Sequence, residues 1–174
     1  MIVTNLKSDF EELLATANEI WFAVALIKHS TYDYVQKAIK NDCKQNYLVG
    51  IDLPTNPKVL RSMQSQLKKD FFEATIYKKE FNFHPKVYLF KDNDCYTAFI
   101  GSSNLTDGGL EDNVELNYKL TNQEDCLSIL NWFKALYKES YPLTEENILA
   151  YEEHFNSFEE IEKELKKKRK SFKL

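Results

Sequence analysis

What constrains this chain most is a rhythm of short apolar runs separated by amphipathic stretches. "IWFAVALI" (20–27) and "YLVGIDL" (47–53) lack the polar alternation of a half-exposed strand. Such runs read as strands of a sheet covered on both faces. "DFEELLATANE", "TYDYVQKAIKND" and "NPKVLRSMQSQLKKD" carry helical periodicity, with Pro57 acceptable in a first turn, and "EATIYKK" is strand-like. Strands alternating with helices of this length predict βαβ units. Three strand candidates then follow with no helix between them: "HPKVYLF", "CYTAFIG" and "NVELNYKL". "QEDCLSILNWFKALYKES" is an amphipathic helix, and two shorter helices close the chain, the last opening with a capping box at Ser157 and Glu160. The expected fold class is α/β: a mixed, mostly parallel sheet with helices on both faces and extra C-terminal helices.

At 174 residues the chain is long enough for one domain with a full core. No run approaches the length of a bilayer span, and the start "MIVTNLKSDFEELL" does not read as a secretory signal. Cys43, Cys95 and Cys126 are odd in number and widely spaced, so they read as reduced thiols of a cytoplasmic protein. The net charge of −4 hides an asymmetry: from Lys163 onward the chain carries +6, leaving −10 on the first 162 residues. A basic footprint for nucleic acid is therefore local, which argues against an open, uniformly basic cleft.

Three neighbouring motifs carry usable chemistry. In "HPK", His84 and Lys86 share a strand face. A lysine supplies donors and charge to phosphate oxygens, and an imidazole attacks phosphorus or moves a proton. In "GSSNLTDGGL", Gly101 lets the backbone approach a ligand, Ser102 and Asn104 offer a hydroxyl and an amide, and Gly108 and Gly109 permit positive φ. In "NVEL", Glu115 interrupts an apolar strand, and a carboxylate there can orient a histidine. Each also has an ordinary reading: an exposed strand edge, a plain Gly-Ser-Asn loop, and a solvent-facing edge position.

Taken together and in order, His84, Lys86, Ser102, Asn104 and Glu115 resemble the phospholipase D superfamily, whose signature is H-x-K, then G-S-x-N, then a nearby acid. The pattern "GSSNLT..GL" followed by an N-x-E strand is most similar to its nuclease-like branch. Motif similarity spans residues 83 to 117, and the expected element order extends it to about residue 140. One position departs. The longer signature has an aspartate where this chain has Lys91, and Asp92 sits one place late, facing the opposite side of a strand.

The resemblance implies a phospholipase D-like catalytic domain over residues 1–158, with residues 159–174 as a basic C-terminal helix or tail. It implies a phosphodiesterase that works without metal or cofactor through a phosphohistidine. Two His-Lys motifs make one site in that family, and this chain has one, so the expected partners are a second copy and nucleic acid, with no membrane. The expected function is a nuclease acting on DNA or RNA. The alternatives are a phospholipid phosphodiesterase or transferase, and an inactive dimerisation or nucleic-acid-binding module. Further substrate-binding candidates are His29, Ser103 and the basic residues Lys166, Lys167, Lys168 and Arg169. His29 follows a strand's carboxyl end, where it either meets substrate or caps the next helix. The tail either contacts DNA or is a solvated helix end. His154 reads as structural.

Overall fold

The computed structural model describes residues 1–171; within the last helix, the side chains of residues 157, 159–163, 166, 167 and 169–171 lie outside the described set. Eight strands, β1 (Ile2–Val3), β2 (Glu19–Val24), β3 (Lys44–Gly50), β4 (Phe72–Tyr77), β5 (Lys86–Asp92), β6 (Cys95–Gly101), β7 (Asn117–Leu120) and β8 (Tyr141–Pro142), form one sheet. Their order is β1-β7-β6-β5-β2-β3-β4-β8. Helices α1 (Lys7–Thr16), α2 (His29–Ala38), α3 (Pro57–Gln66), α4 (Gln123–Lys138) and α5 (Glu145–Ser171) complete the fold. This is the expected mixed α/β architecture. Among the described residues no helix is long and apolar enough to cross a membrane.

The balance of strand directions differs from expectation. Only β2–β3 and β3–β4 pair in parallel, and the remaining five neighbouring pairs are antiparallel. Connection length explains this. A parallel neighbour needs a crossover of a dozen or more residues, which α2 and α3 supply, whereas a tight turn can only reverse the chain. β5 and β6 are joined by Asn93 and Asp94, with Asn93 at φ 52°. Asparagine tolerates that left-handed conformation better than most residues. The C-terminus differs too: α5 is one continuous helix where two shorter ones were expected. The side chains of Ser157 and Glu160, the expected capping box, lie outside the described set.

Strand alternation divides the core. Ile20, Phe22, Val24, Tyr88 and Phe90 pack on one face beneath α1, α2, α3 and α5. Phe10 of α1 is the hub, its ring centroid 4.9 Å from Tyr88, 5.2 Å from Phe90 and 5.5 Å from Phe22. Trp21, Ala23, Val87, Leu89 and Ala98 point the other way and pack on Cys126, Leu130 and Phe133 of α4. One helix cannot cover that whole face. Ile100, Tyr118 and Ile2 are cross-strand neighbours in a row over β6, β7 and β1, and stay 40%, 52% and 65% exposed.

Candidate active site

His84 lies just before β5, in a lead-in held on both sides. The Phe83 N–H donates to Asp52 at 2.7 Å, and the Pro85 carbonyl accepts the Ala25 N–H at 2.9 Å. The Phe83 ring is buried against Tyr77. The imidazole itself is exposed. Lys86 opens β5 opposite Val24 and is only 7% exposed. Its Nζ stands 2.7 Å from His84 Nδ1 and 3.1 Å from Nε2, and donates to the His84 carbonyl at 3.1 Å. Burial lowers the Lys86 pKa below its ordinary 10.5, and the charge of Glu115 opposes that shift.

Beside this pair, β6 ends at Gly101, where a Cβ would fall 2.4 Å from the Leu116 carbonyl and 2.6 Å from Asn117 Cα. Glycine is required there for close approach of the two chain segments. That approach places Ser102 on the segment leading into β7. Its N–H donates to the Leu116 carbonyl at 3.1 Å, and its hydroxyl donates to Glu115 while accepting the Leu116 N–H at 3.0 Å. Glu115 also accepts from Asn113 at 3.1 Å. It lies in the loop before β7 and not inside a strand, because pairing with β6 begins only at Asn117. It makes no hydrogen bond to His84 among the described residues, contrary to the orienting role expected of it; Ser102 and Asn113 take its oxygens, and the imidazole contacts Lys86.

The loop after Ser102 is ordered from below. Ser103 is fully buried, accepts from Asn117 Nδ2 at 2.9 Å, and its carbonyl accepts the Tyr88 hydroxyl at 2.8 Å. It faces inward and supports the loop. Residues Gly108–Asp112 form a π-helical turn, and no glycine of the chain has positive φ. Gly109 instead permits contact: a Cβ would lie 2.2 Å from the Asn104 carbonyl. The Asn104 amide oxygen is buried without a hydrogen-bond partner.

His29 opens α2, with Nδ1 3.0 Å from Asp33 one turn on. The next residues, Ser30 and Thr31, donate to Asp107 and tie that helix end to the loop. His154 packs its ring on Phe158 at 4.7 Å. Lys168 is exposed on α5, and the side chains of Lys166, Lys167 and Arg169 lie outside the described set. Lys91 lies on β5 five residues from Lys86, about 17 Å along the strand. The departure from the longer signature is therefore remote from the His84–Lys86 pair. Sequence reasoning missed Asn117, whose side chain holds Ser103. Its alternation with Glu115 and Asn113 in "NVELN" was the available signal. It also missed a groove of about 460 Å³ beside His84, whose walls include Ile100, Ile129 and Trp132.

An exposed imidazole thus stands against a buried lysine, beside a serine–glutamate pair and the Asn104 side chain, at one end of the sheet. The chain belongs to the phospholipase D-like family: the model of the cardiolipin synthase PLD-like domain matches residues 10–137. No curated protein sequence matches the chain significantly. Among solved structures it is similar to Nuc from Salmonella typhimurium, a phospholipase D family member (13% identity, 82% of this chain and 97% of that one, TM-score 0.61). NucT from Helicobacter pylori is similar at 17% identity, covering 78% of this chain and 89% of that one, TM-score 0.57. Phosphatidylserine synthase from Haemophilus influenzae also shares the fold (17% identity, 86% of this chain but 42% of that one, TM-score 0.63).

Proposed function

We propose that this chain is a metal-independent phosphodiesterase that cleaves DNA or RNA at a site built by two copies. The observation that carries this is the Lys86 ammonium set 2.7 Å from an exposed His84 ring. A ring nitrogen of His84 attacks phosphorus. The bond to the leaving oxygen breaks as the P–N bond forms, and His84 of the second copy protonates that oxygen. Water then attacks the phosphohistidine while the second histidine takes its proton, and the P–N bond breaks to restore the first ring. Lys86 from each copy neutralises the non-bridging oxygens, and the Asn104 Nδ2–H donates to the phosphate. The bare row of Ile2, Tyr118 and Ile100 supports the second copy, because an exposed apolar stripe beside a site marks a surface that is covered in use.

One observation favours a phospholipid substrate instead. The groove beside His84 is walled by Pro85, Ile100, Ile129 and Trp132, a lining suited to an acyl chain. Against this stands Lys91, at the position where the longer signature carries an aspartate. An assay in EDTA with single-stranded and duplex nucleic acid, a chromogenic diester and phosphatidylcholine decides between them. Nucleic-acid cleavage that survives chelation is expected. Loss of all activity in EDTA with recovery in magnesium overturns the metal-independent mechanism, and turnover of phosphatidylcholine alone assigns the lipid.

A further inference from the structure

At the end of the sheet remote from His84, a second groove of about 480 Å³ lies between α4 and the first residues of β2 and β3. Trp21, Leu130 and Phe133 form its floor, and Tyr96 and Tyr137 flank it. Four lysines line it: Lys44, Lys91, Lys134 and Lys138, against the two carboxylates Glu19 and Glu73. The excess of two positive charges stands out on a body that carries −10 over its first 162 residues.

The cations are unevenly engaged. Lys44 lies 3.7 Å from Glu19, which also accepts from Asn46. Lys91 sits 5.7 Å over the Tyr96 ring. Lys134 and Lys138 are exposed on successive turns of α4 and make no ion pair among the described residues. The position where the longer family signature carries an aspartate thus supplies one of the four ammonium groups. Tyr96 is part-exposed and lies 6.2 Å from Trp21, an aromatic surface beside those charges.

Aromatic faces interleaved with lysines are the chemistry of single-stranded nucleic-acid grooves, where bases stack and phosphates meet ammonium groups. We propose that this groove is an accessory site for single-stranded nucleic acid, seating a base against Tyr96 and its flanking phosphates on Lys91, Lys134 and Lys138. The ligand class deepens the nuclease assignment and rests on it only for the supposition that the bound strand is also the substrate. A strand held here is anchored about 17 Å from Lys86, so the groove adds affinity without touching the reacting phosphate.

The test is fluorescence anisotropy with His84→Ala protein and a labelled single-stranded oligonucleotide about ten nucleotides long, titrated across salt. Lys134→Glu/Lys138→Glu should weaken binding tenfold or more. Lys134→Gln/Lys138→Gln should flatten the slope of log K against log salt by about 1.4, that is about 0.7 per lysine. Both residues are exposed, and thermal melting checks the fold. If the charge reversal does not fold, the glutamine pair alone decides. Unchanged affinity and slope overturn the proposal, as does a glutamate homopolymer that competes as well as the oligonucleotide. Cleavage of a small chromogenic diester by the wild type, measured in parallel, reports on the catalytic assignment alone. A protein inert toward every diester that still loses binding in these variants keeps the groove and discards the nuclease.

Discussion

The hydroxyl of Ser102 donates to Glu115 and at the same time accepts the backbone N–H of Leu116, 3.0 Å away. With one proton given and one received, that hydroxyl has no spare donor, so Ser102 acts as the clasp of the carboxylate and not as a nucleophile. Glu115 in turn raises the pKa of Lys86 against the effect of burial. The charge of Glu115, fixed by the clasp, offsets part of what burial does to the lysine. Glu115→Gln keeps an acceptor for Ser102 but loses the charge. We expect kcat to fall about tenfold to a hundredfold, the range of one hydrogen bond to a charged group. Ser102→Ala should lose less, and wild-type rates in both variants would remove the pair from the mechanism.

His84→Ala should lose about four or more powers of ten in kcat, as removal of a covalent nucleophile does. The fold should persist, since the ring is exposed and the lead-in is anchored by Phe83 and Pro85. Near-normal turnover by a folded His84→Ala protein refutes the assignment. Mixing His84→Ala with Lys86→Ala chains tests whether two copies share one site, with sedimentation expected near twice 20.5 kDa. A fully active monomer contradicts the two-copy site.

The depressed pKa of Lys86 ties rate and stability to pH in opposite senses. In the proposed mechanism its protonated form binds phosphate, so the rate should fall as pH rises through a value below 10.5. In that same window the unfolded chain binds the extra proton, so Lys86's burial penalty, present in full at neutral pH, is relieved as pH rises toward 10.5. Lys86→Met should therefore be inactive with a Tm at pH 7 no lower than wild type. A clear drop in Tm would show that its contacts to His84 outweigh the burial penalty. A pH–rate profile without an alkaline limb below the ordinary lysine value contradicts the phosphate role.

Gly101→Ala places a methyl 2.4 Å from the Leu116 carbonyl and 2.6 Å from Asn117 Cα, both backbone and unable to rotate aside. The segment before β7 must shift away from β6, taking Glu115 from Ser102. Overpacking of this kind costs about 1–3 kcal/mol, and the rate should fall with it. Thermal melting with diester turnover checks both. A variant as stable and as active as wild type would show that the approach of these segments is not needed.

The elements themselves were legible in the sequence. β6 occupies the residues of "CYTAFIG", and Asn56 and Pro57 open α3 at the expected place. The order His84, Lys86, Ser102, Asn104, Glu115 was enough to suggest the family. Such features are local: periodicity records which face of a segment is apolar, and a motif records which groups lie within a few residues.

Tertiary structure decided what depends on distant partners. Strand direction followed from the lengths of the connections and the place where β5 returns beside β2, which no single segment encodes. Ser103 turned inward because Asn117, fourteen residues away, accepts and donates there. Glu115 left the strand because β6 ends at Gly101, opposite Asn117, and its carboxylate found Ser102 in place of His84. Gly109 proved to serve contact with Asn104, where the sequence alone suggested positive φ. Lys91 moved from a defect in a signature to one wall of a basic groove, because a strand separates i and i+5 by most of its length and points them to opposite faces.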